Sequence, residues 1–271
     1  MARLFATPRR RQRRMPGAPP GTITIDPDAP PPKLHVIAYG PDAYVEHDVE
    51  DLADLPSILE AWPVVWINVD GLGDERVLRR LQEMFSLHRL AMEDVSNVMQ
   101  RPKVEAYNGQ LFAVTRMAYL PGHLESEQLS AFLGANWVLT FQVRPGDCLA
   151  PVRDRIRKGL GRIRVGGADY LAYALLDAVV DNYFPLLEEY GERLQTLEDH
   201  VIAHPVPEAV GDIHQVKRDL LHLRRALWPQ REMVGSLLRD EYPQIKPETQ
   251  VYLRDVYDHI AQLMDMLETY R

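Results

Sequence analysis

Three long helical segments occupy the second half of the sequence and limit the folds open to it. Their apolar residues recur at helical spacing over roughly 169–202, 207–240 and 247–271, with proline-containing breaks at residues 204–207 and 243–247. The apolar stripe of the first segment is too long for one small domain to cover, which predicts a helical hairpin or stalk. The third segment keeps its periodicity to Arg271 without a Gly or Asn cap, so we expect the natural chain to continue as helix.

The first half of the chain has a different pattern. Short segments rich in β-branched and aromatic residues alternate with turn residues and helical patterns, which predicts an α/β region up to about residue 158. Residues 74–85 carry the spacing of a helix packed on a sheet. Asn108 and Gly109 both tolerate positive φ and predict a hairpin turn, and the last three strands are expected to form an antiparallel meander. The predicted strands are residues 34–39, 64–69, 104–107, 111–119, 128–133 and 137–143.

Charge is distributed unevenly along the chain. The net charge is −8, from 31 basic and 39 acidic residues, but the first 22 residues contain six arginines and no acid, which leaves −14 on the rest. An acidic body argues against nucleic acid as a partner and suits cations. The proline-rich, basic start of the chain predicts a disordered tail over residues 1–33, with contact to anionic lipid or RNA as the alternative. Its clustered arginines are Arg9, Arg10, Arg11, Arg13 and Arg14.

Apolar runs and cysteine content restrict the cellular setting. The longest uninterrupted apolar run covers residues 170–176, far short of the roughly 18–20 residues needed to cross a bilayer. The N-terminus lacks the apolar stretch of a signal peptide, so we expect this portion to be soluble and cytoplasmic. The single Cys148 excludes an intrachain disulfide and a cysteine-based zinc site.

Carboxylates in helical settings are the candidate functional groups, because no phosphate-binding loop, dinucleotide fingerprint, paired metal-binding histidines or nucleophile elbow is present. Some of these acids lie within apolar stretches and are expected to be partly buried, which requires a proton, an arginine or a metal ion as partner. Salt bridges to the many arginines are the structural alternative. His259, which lies one turn after Asp255, is interpreted as a capping or surface residue. The group comprises Glu93, Asp94, Asp177, Asp181, Asp255, Asp258 and His259.

Several strings of residues match a known family in order and spacing. They are Trp66-Ile-Asn68 ahead of Gly71, His88 with Glu93-Asp94, Asn97 to Val104, Leu124-Glu-Ser-Glu-Gln128, Ala168-Asp-Tyr-Leu171, Asp181-Asn-Tyr-Phe184, Trp228-Pro229 with Arg231-Glu232, and Tyr252 to His259. Over roughly residues 20–271 the sequence resembles the CorA magnesium-transporter family. The resemblance implies the cytoplasmic part of a divalent-cation channel or transporter and no enzymatic activity.

The resemblance also implies an architecture. The fold class is α+β or α/β: an N-terminal α/β sandwich with a mixed, largely antiparallel sheet, then long α-helices that form a hairpin and the start of a stalk helix. The implied divisions are a tail over 1–33, an α/β domain over 34–168, a helical hairpin over 169–245 and the stalk over 246–271. The stalk would lead into membrane helices and a Gly-Met-Asn pore signature beyond Arg271. The full-length protein would then be a homopentamer in the cell inner membrane.

Metal sites follow from the same resemblance. An inter-subunit regulatory site would fall on Asp94 of one subunit and Asp255 of its neighbour, and a second divalent site near Glu93 and Asp177. The implied ion is Mg²⁺, with Co²⁺, Zn²⁺ or another divalent cation as alternatives, because a zinc- or cobalt-transporting branch shares the architecture. Two alternatives from other classes are a soluble hydrolase that uses Asp177, Asp181 and Asp255, and a helical scaffold that oligomerises without metal.

Overall fold

The computed structural model describes residue 17, residues 19–203 and residues 207–271. The arginine-rich part of the predicted tail and residues 204–206 of the first predicted helix break lie outside these residues. In chain order the elements are β1 (Lys33–Tyr39), β2 (Tyr44–Val49), α1 (Leu55–Ala61), β3 (Val64–Asp70), α2 (Glu75–Met84), α3 (Arg89–Ser96), β4 (Lys103–Tyr107), β5 (Gln110–Tyr119), β6 (Glu125–Leu133), β7 (Trp137–Gln142), α4 (Ala150–Lys158), α5 (Ala168–Asp181), α6 (Tyr183–Ala203), α7 (Pro207–Arg239) and α8 (Pro247–Thr269).

Within the described residues, the strands form one seven-stranded sheet in the order β2-β1-β3-β7-β6-β5-β4. The β3–β7 pair is parallel, and the other neighbours are antiparallel. The predicted mixed, largely antiparallel sheet is therefore confirmed. So are the hairpin at Asn108 and Gly109, which have φ of 49° and 83°, and the β5–β6–β7 meander.

Each face of the sheet carries its own helical layer, because alternate side chains of a strand point to opposite faces. On β3, Val65, Ile67 and Val69 belong to the core beneath α1, α2 and α3. Val64 and Trp66 belong to a second core, which continues through α4 and α5 into α6, α7 and α8. The two layers separate the candidate site residues, because α3 lies on one side of the sheet while α5 and α8 lie on the other.

The first predicted long helix is two helices. α5 ends at Asp181 and α6 begins at Tyr183, with Asn182 between them. Pro185 explains the break, since a proline nitrogen cannot donate the helical hydrogen bond to the carbonyl of Asp181. The Asn182 side chain donates instead to the carbonyl of Ala118, at 2.7 Å, which fixes the joint against β5.

Residues 19–32 fall within the predicted tail but contact the folded domain. Ile23 is buried, and the Gly21 amide donates to a Glu93 carboxylate oxygen at 2.6 Å. The chain then passes so close to Gly71 (φ +98°) that a Cβ there would lie 2.6 Å from the Pro30 carbonyl oxygen. Glycine at position 71 is thus required by both the backbone conformation and the close approach.

Asp169, in the first turn of α5, caps the start of α8. Its Oδ2 accepts from the Lys246 amide at 3.1 Å and from the Thr249 hydroxyl at 2.6 Å, and both Asp169 and Thr249 are buried. The residue at the N-cap position of α8, Lys246, makes no side-chain cap of its own. The carboxylate from α5 therefore satisfies donors that α8 leaves open.

Replacing Asp169 by Ala is expected to lower the free energy of unfolding by about 2 kcal/mol, because two buried or half-buried donors lose a charged acceptor. Chemical denaturation monitored by circular dichroism measures the change. The matched control is Asp42→Ala in the exposed turn between β1 and β2, where we expect less than about 0.5 kcal/mol. Equal losses in the two variants would contradict the capping role.

Candidate metal centre

Two helices bring four ligand-type side chains to one place. Asp177 and Asp181 are one turn apart on α5, and Asp255 and His259 are one turn apart on α8. Residues at this spacing share one face of a helix. Because α5 and α8 pack in the same core, the two faces meet at the surface of the helical layer.

The cluster centres on His259. One ligand atom each of Asp177, Asp181 and His259 lie within 4.8 Å of one another. The His259 Nδ1 is 3.0 Å from Asp181 Oδ1, and its Nε2 is 3.8 Å from Asp255 Oδ2. The imidazole ring packs edge-on against Phe184, with ring centroids 5.7 Å apart, which limits its rotation.

Asp177 is the buried member of the cluster. Its side chain is 14% exposed, compared with 52% for Asp181 and 66% for Asp255. Burial, and secondly the neighbouring Asp181 carboxylate, raise the pKa of Asp177 to about 6. An Arg155 guanidinium nitrogen 3.8 Å away and the Tyr173 hydroxyl at 3.4 Å compensate its charge only in part. A further cation would therefore stabilise the ionised cluster.

The cluster is close to the dimensions that a divalent ion needs. Oxygen ligands of Mg²⁺ lie at about 2.0–2.1 Å from the ion in an octahedron, so they are about 3 to 4 Å from one another. The ligand atoms lie within 4.8 Å of one another, close to that spacing, and side-chain rotation would be needed to bring them onto an ion. The carboxylates suit Mg²⁺, whereas an imidazole nitrogen also suits Co²⁺ or Zn²⁺.

Glu93 and Asp94 lie on α3, on the opposite side of the sheet. Asp94 is 17% exposed and forms an ion pair with Lys103, whose Nζ is 2.7 Å from Asp94 Oδ2 and 2.6 Å from Glu105 Oε2. Burial raises the pKa of Asp94, although Lys103 opposes the shift. Glu93 accepts the hydrogen bond from the Gly21 amide. Both acids thus have partners within their own chain.

The predicted site residues therefore fall into two groups. Asp177 and Asp255 belong to the cluster between α5 and α8, whereas Glu93 and Asp94 belong to the α3 layer. Within one chain, the sheet separates the two members of each predicted pair, Asp94 from Asp255 and Glu93 from Asp177. Sites built from these pairs would need a second copy, and they stay predictions.

Asp181 and His259 are cluster members that the predicted site did not include. In the sequence, Asp181 lies one helical turn from Asp177, whereas His259 is interpreted as a capping or surface residue. That interpretation is incomplete, because His259 contacts Asp181. The i, i+4 spacing of Asp255 and His259 on an amphipathic helix was the available signal. The spacing alone does not reveal that α5 faces α8.

Comparison with known proteins gives a family and a fold. A model described as CorA-like Mg²⁺ transporter protein matches residues 63–271. The cobalt/magnesium transport protein CorA of Thermotoga maritima is 41% identical over 259 residues, which cover 94% of this chain and 74% of that protein.

Solved structures share the fold. The soluble domain of CorA from Methanocaldococcus jannaschii superimposes with a TM-score of 0.74 at 18% identity, over 88% of this chain and 92% of that one. The cytoplasmic domain of ZntB from Vibrio parahaemolyticus gives 0.70 at 11% identity, over 87% and 91%. The predicted fold class is thereby confirmed.

Proposed function

Because the chain belongs to the CorA-like Mg²⁺ transporter family, we propose that it is the cytoplasmic regulatory domain of a divalent-cation channel, with Mg²⁺ as the cargo and the regulatory ion. The family consists of ion transporters, which excludes the hydrolase alternative. Among the described residues, no helix combines the length and apolarity needed to span a bilayer. In the proposed arrangement the membrane helices follow α8, and this domain is on the cytoplasmic side of the inner membrane.

The observation that carries the proposal is the convergence of Asp177, Asp181 and His259 at ligand spacing around a half-desolvated carboxylate. Ionisation of Asp177 beside a second carboxylate raises the free energy of the folded state, and a bound divalent cation would offset that increase. Asp255 stands at the exposed edge of the same cluster. It is therefore available to a neighbouring copy as well.

Between subunits, Asp94 of one copy would face Asp255 of the next. Five copies would bring a formal charge of five times −8, and facing carboxylates repel unless a cation lies between them. Mg²⁺ bound there would favour the closed, symmetric state by mass action. When cytosolic Mg²⁺ falls, the ions would dissociate, the subunits would separate and the pore could open. The result is negative feedback on uptake.

Transport of cobalt or zinc is the second candidate. It is favoured by the nitrogen ligand that His259 would supply, because imidazole binds Co²⁺ and Zn²⁺ better than Mg²⁺. The likeness to a ZntB cytoplasmic domain is a likeness of fold and does not decide the ion.

Metal binding can be tested on the 271-residue chain. At a Mg²⁺ concentration tenfold above its Kd, we expect the free energy of unfolding to rise by about 1.4 kcal/mol, because the ion binds the folded state. Thermal or chemical denaturation measures the rise, at a dilution where sedimentation shows single copies. Titrations with Co²⁺ and Zn²⁺ rank the ions.

Two controls separate binding from screening. NaCl at matched ionic strength accounts for general relief of charge repulsion. Asp258→Asn, an exposed change on α8, should keep the Mg²⁺ effect, whereas Asp181→Asn should abolish it. An equal Mg²⁺ effect in Asp181→Asn would count against this cluster as the binding site.

A further inference from the structure

A basic groove lies between α7 and the loop that joins α3 to β4, away from the acidic cluster. It has a volume of about 610 Å³, within the range of small-molecule sites. Three of its six lining residues are arginines and none is acidic. The lining residues are Arg101, Leu221, Arg224, Arg225, Trp228 and Pro229.

Two of the three guanidinium groups have no hydrogen-bond or ion-pair partner among the described residues. Arg101 and Arg225 are exposed and form no hydrogen bond or ion pair with any residue that the structure describes. Arg224 forms an ion pair with Glu268, with its Nε 3.2 Å from the carboxylate, and its guanidinium carbon lies 5.9 Å from the centre of the Trp228 ring. In a chain of net charge −8, this is a local excess of positive charge.

The groove also presents an aromatic surface. Trp228 is 47% exposed, which is unusual for so large an apolar side chain. Pro229 follows it inside α7 and lacks the N–H that would bond to the Arg225 carbonyl. The Arg225 carbonyl therefore lacks its usual intrahelical donor.

Both walls of the groove are anchored. Arg101 lies between Gln100, whose amide donates to Gln128 at 3.0 Å, and the buried Pro102. On the other wall, Leu227 and Gln230 of α7 are buried in the core. The arginines and the indole thus project from fixed backbone, which lowers the entropy lost when a ligand binds.

These features define the chemistry of a ligand. Guanidinium groups bind phosphate oxygens through paired hydrogen bonds, and an exposed indole stacks on a planar base. The acidic surface elsewhere is screened beyond about 8 Å at physiological salt, so it does not prevent an anion from reaching the groove. No carboxylate lines the groove, and the neighbouring Glu268 is held by both Arg224 and Arg271, so the groove offers no free carboxylate to a metal that accompanies the phosphates.

We propose that this groove binds a nucleoside triphosphate in its metal-free form, with the phosphates on Arg101, Arg224 and Arg225 and the base on Trp228. This site is separate from the proposed metal centre, so either proposal can fail without the other. Free nucleotide triphosphate is itself a strong ligand for Mg²⁺. The concentration of metal-free nucleoside triphosphate rises as Mg²⁺ becomes scarce. Binding in the groove would thus give a magnesium-handling domain a second signal of low Mg²⁺.

The test is calorimetric titration of the 271-residue chain with ATP in magnesium-free buffer, together with tryptophan fluorescence. Trp228→Phe should remove the ATP-dependent fluorescence change, which would show that the change comes from Trp228 and not from the other three of the four tryptophans. Arg225→Gln should weaken ATP binding about tenfold or more, because it loses a charged hydrogen bond. Inorganic triphosphate and adenosine should each bind more weakly than ATP, since each makes half of the contacts.

Arg76→Gln is the matched control, because its side chain is 94% exposed on α2 at the opposite layer, and it should leave ATP affinity unchanged. The proposal is overturned if ATP gives no binding at millimolar concentration, if Arg225→Gln binds as tightly as the wild type, or if triphosphate alone binds as tightly as ATP. A change of oligomeric state in Arg225→Gln without any ATP binding would also overturn it and would assign the groove to contact between copies. Circular dichroism confirms that each variant is folded.

Discussion

At pH 7.5 and without divalent ions, the Asp177→Asn variant is expected to be more stable than the wild type by about 3 kcal/mol. The pKa of Asp177 rises from the ordinary value of 3.8 to about 6 because the carboxyl is buried and faces Asp181. A shift of this size corresponds to about 1.4 kcal/mol per pH unit. Asparagine has nearly the same shape and carries no charge, so the variant avoids the cost.

The pH dependence has a definite sign. The folded-state pKa of Asp177 lies above the unfolded value, so the folded chain binds more protons between about pH 4 and pH 6. The stability that protonated Asp177 provides is therefore present near pH 4, is lost as the pH rises to about 6, and stays lost above that. The difference between variant and wild type should accordingly vanish near pH 4.

Urea denaturation at a series of pH values measures this difference. The groups that face Asp177 all remain in the variant; they are Arg155, Tyr173, Asp181, Asp255 and His259. Asp258→Asn, nearby on α8 and exposed, should change the stability by less than about 0.5 kcal/mol at every pH. A difference between Asp177→Asn and the wild type that does not depend on pH would refute the electrostatic explanation.

The same residue links stability to metal binding. If a cation offsets the buried charge, saturating Mg²⁺ should recover part of the wild-type deficit and should stabilise Asp177→Asn less. A carboxylate that destabilises the empty domain and stabilises the occupied one is what a sensor requires, because ion binding then alters the balance of states.

Fold elements were predictable where the local pattern was strong. The six predicted strands and the helix at 74–85 correspond to observed elements, because their apolar periodicity matches their burial. β2 was missed because it is an edge strand, largely exposed, whose sequence Tyr-Val-Glu-His-Asp-Val lacks the apolar pattern. It is held by pairing with β1 and by His35, which contacts both Glu46 and Asp48.

Site prediction was limited by a different factor. Helical spacing placed Asp177 with Asp181 correctly, and the apolar surroundings predicted the partial burial that Asp177 has. No local pattern states that α5 packs against α8, so the contact between Asp181 and His259 required the tertiary structure. Likewise, the pairing of Asp94 with Lys103 depends on how α3 sits beside β4.

The largest expected effect concerns gating in a full-length transporter that carries this domain. The double variant Asp94→Asn, Asp255→Asn is expected to conduct at cytosolic Mg²⁺ concentrations that close the wild type. In the proposed inter-subunit site these carboxylates give Mg²⁺ its preferential affinity for the closed state, so the double variant would bind the ion equally in both states, and a ligand that binds two states equally cannot shift them. Lys103 would add a second effect, because its ion pair with Asp94 would compete with a metal ion at the proposed site.

Patch-clamp current or Mg²⁺ uptake, recorded against internal Mg²⁺, measures the gating. Each single variant should raise the Mg²⁺ concentration needed for closure, and the double variant should show little closure at any concentration tested. Asp258→Asn, close to Asp255 on α8, should close as the wild type does. Unchanged gating in the double variant would reject the inter-subunit site. A Lys103→Met variant that closes at lower Mg²⁺ than the wild type would support it further, because Asp94 would then be released for the ion.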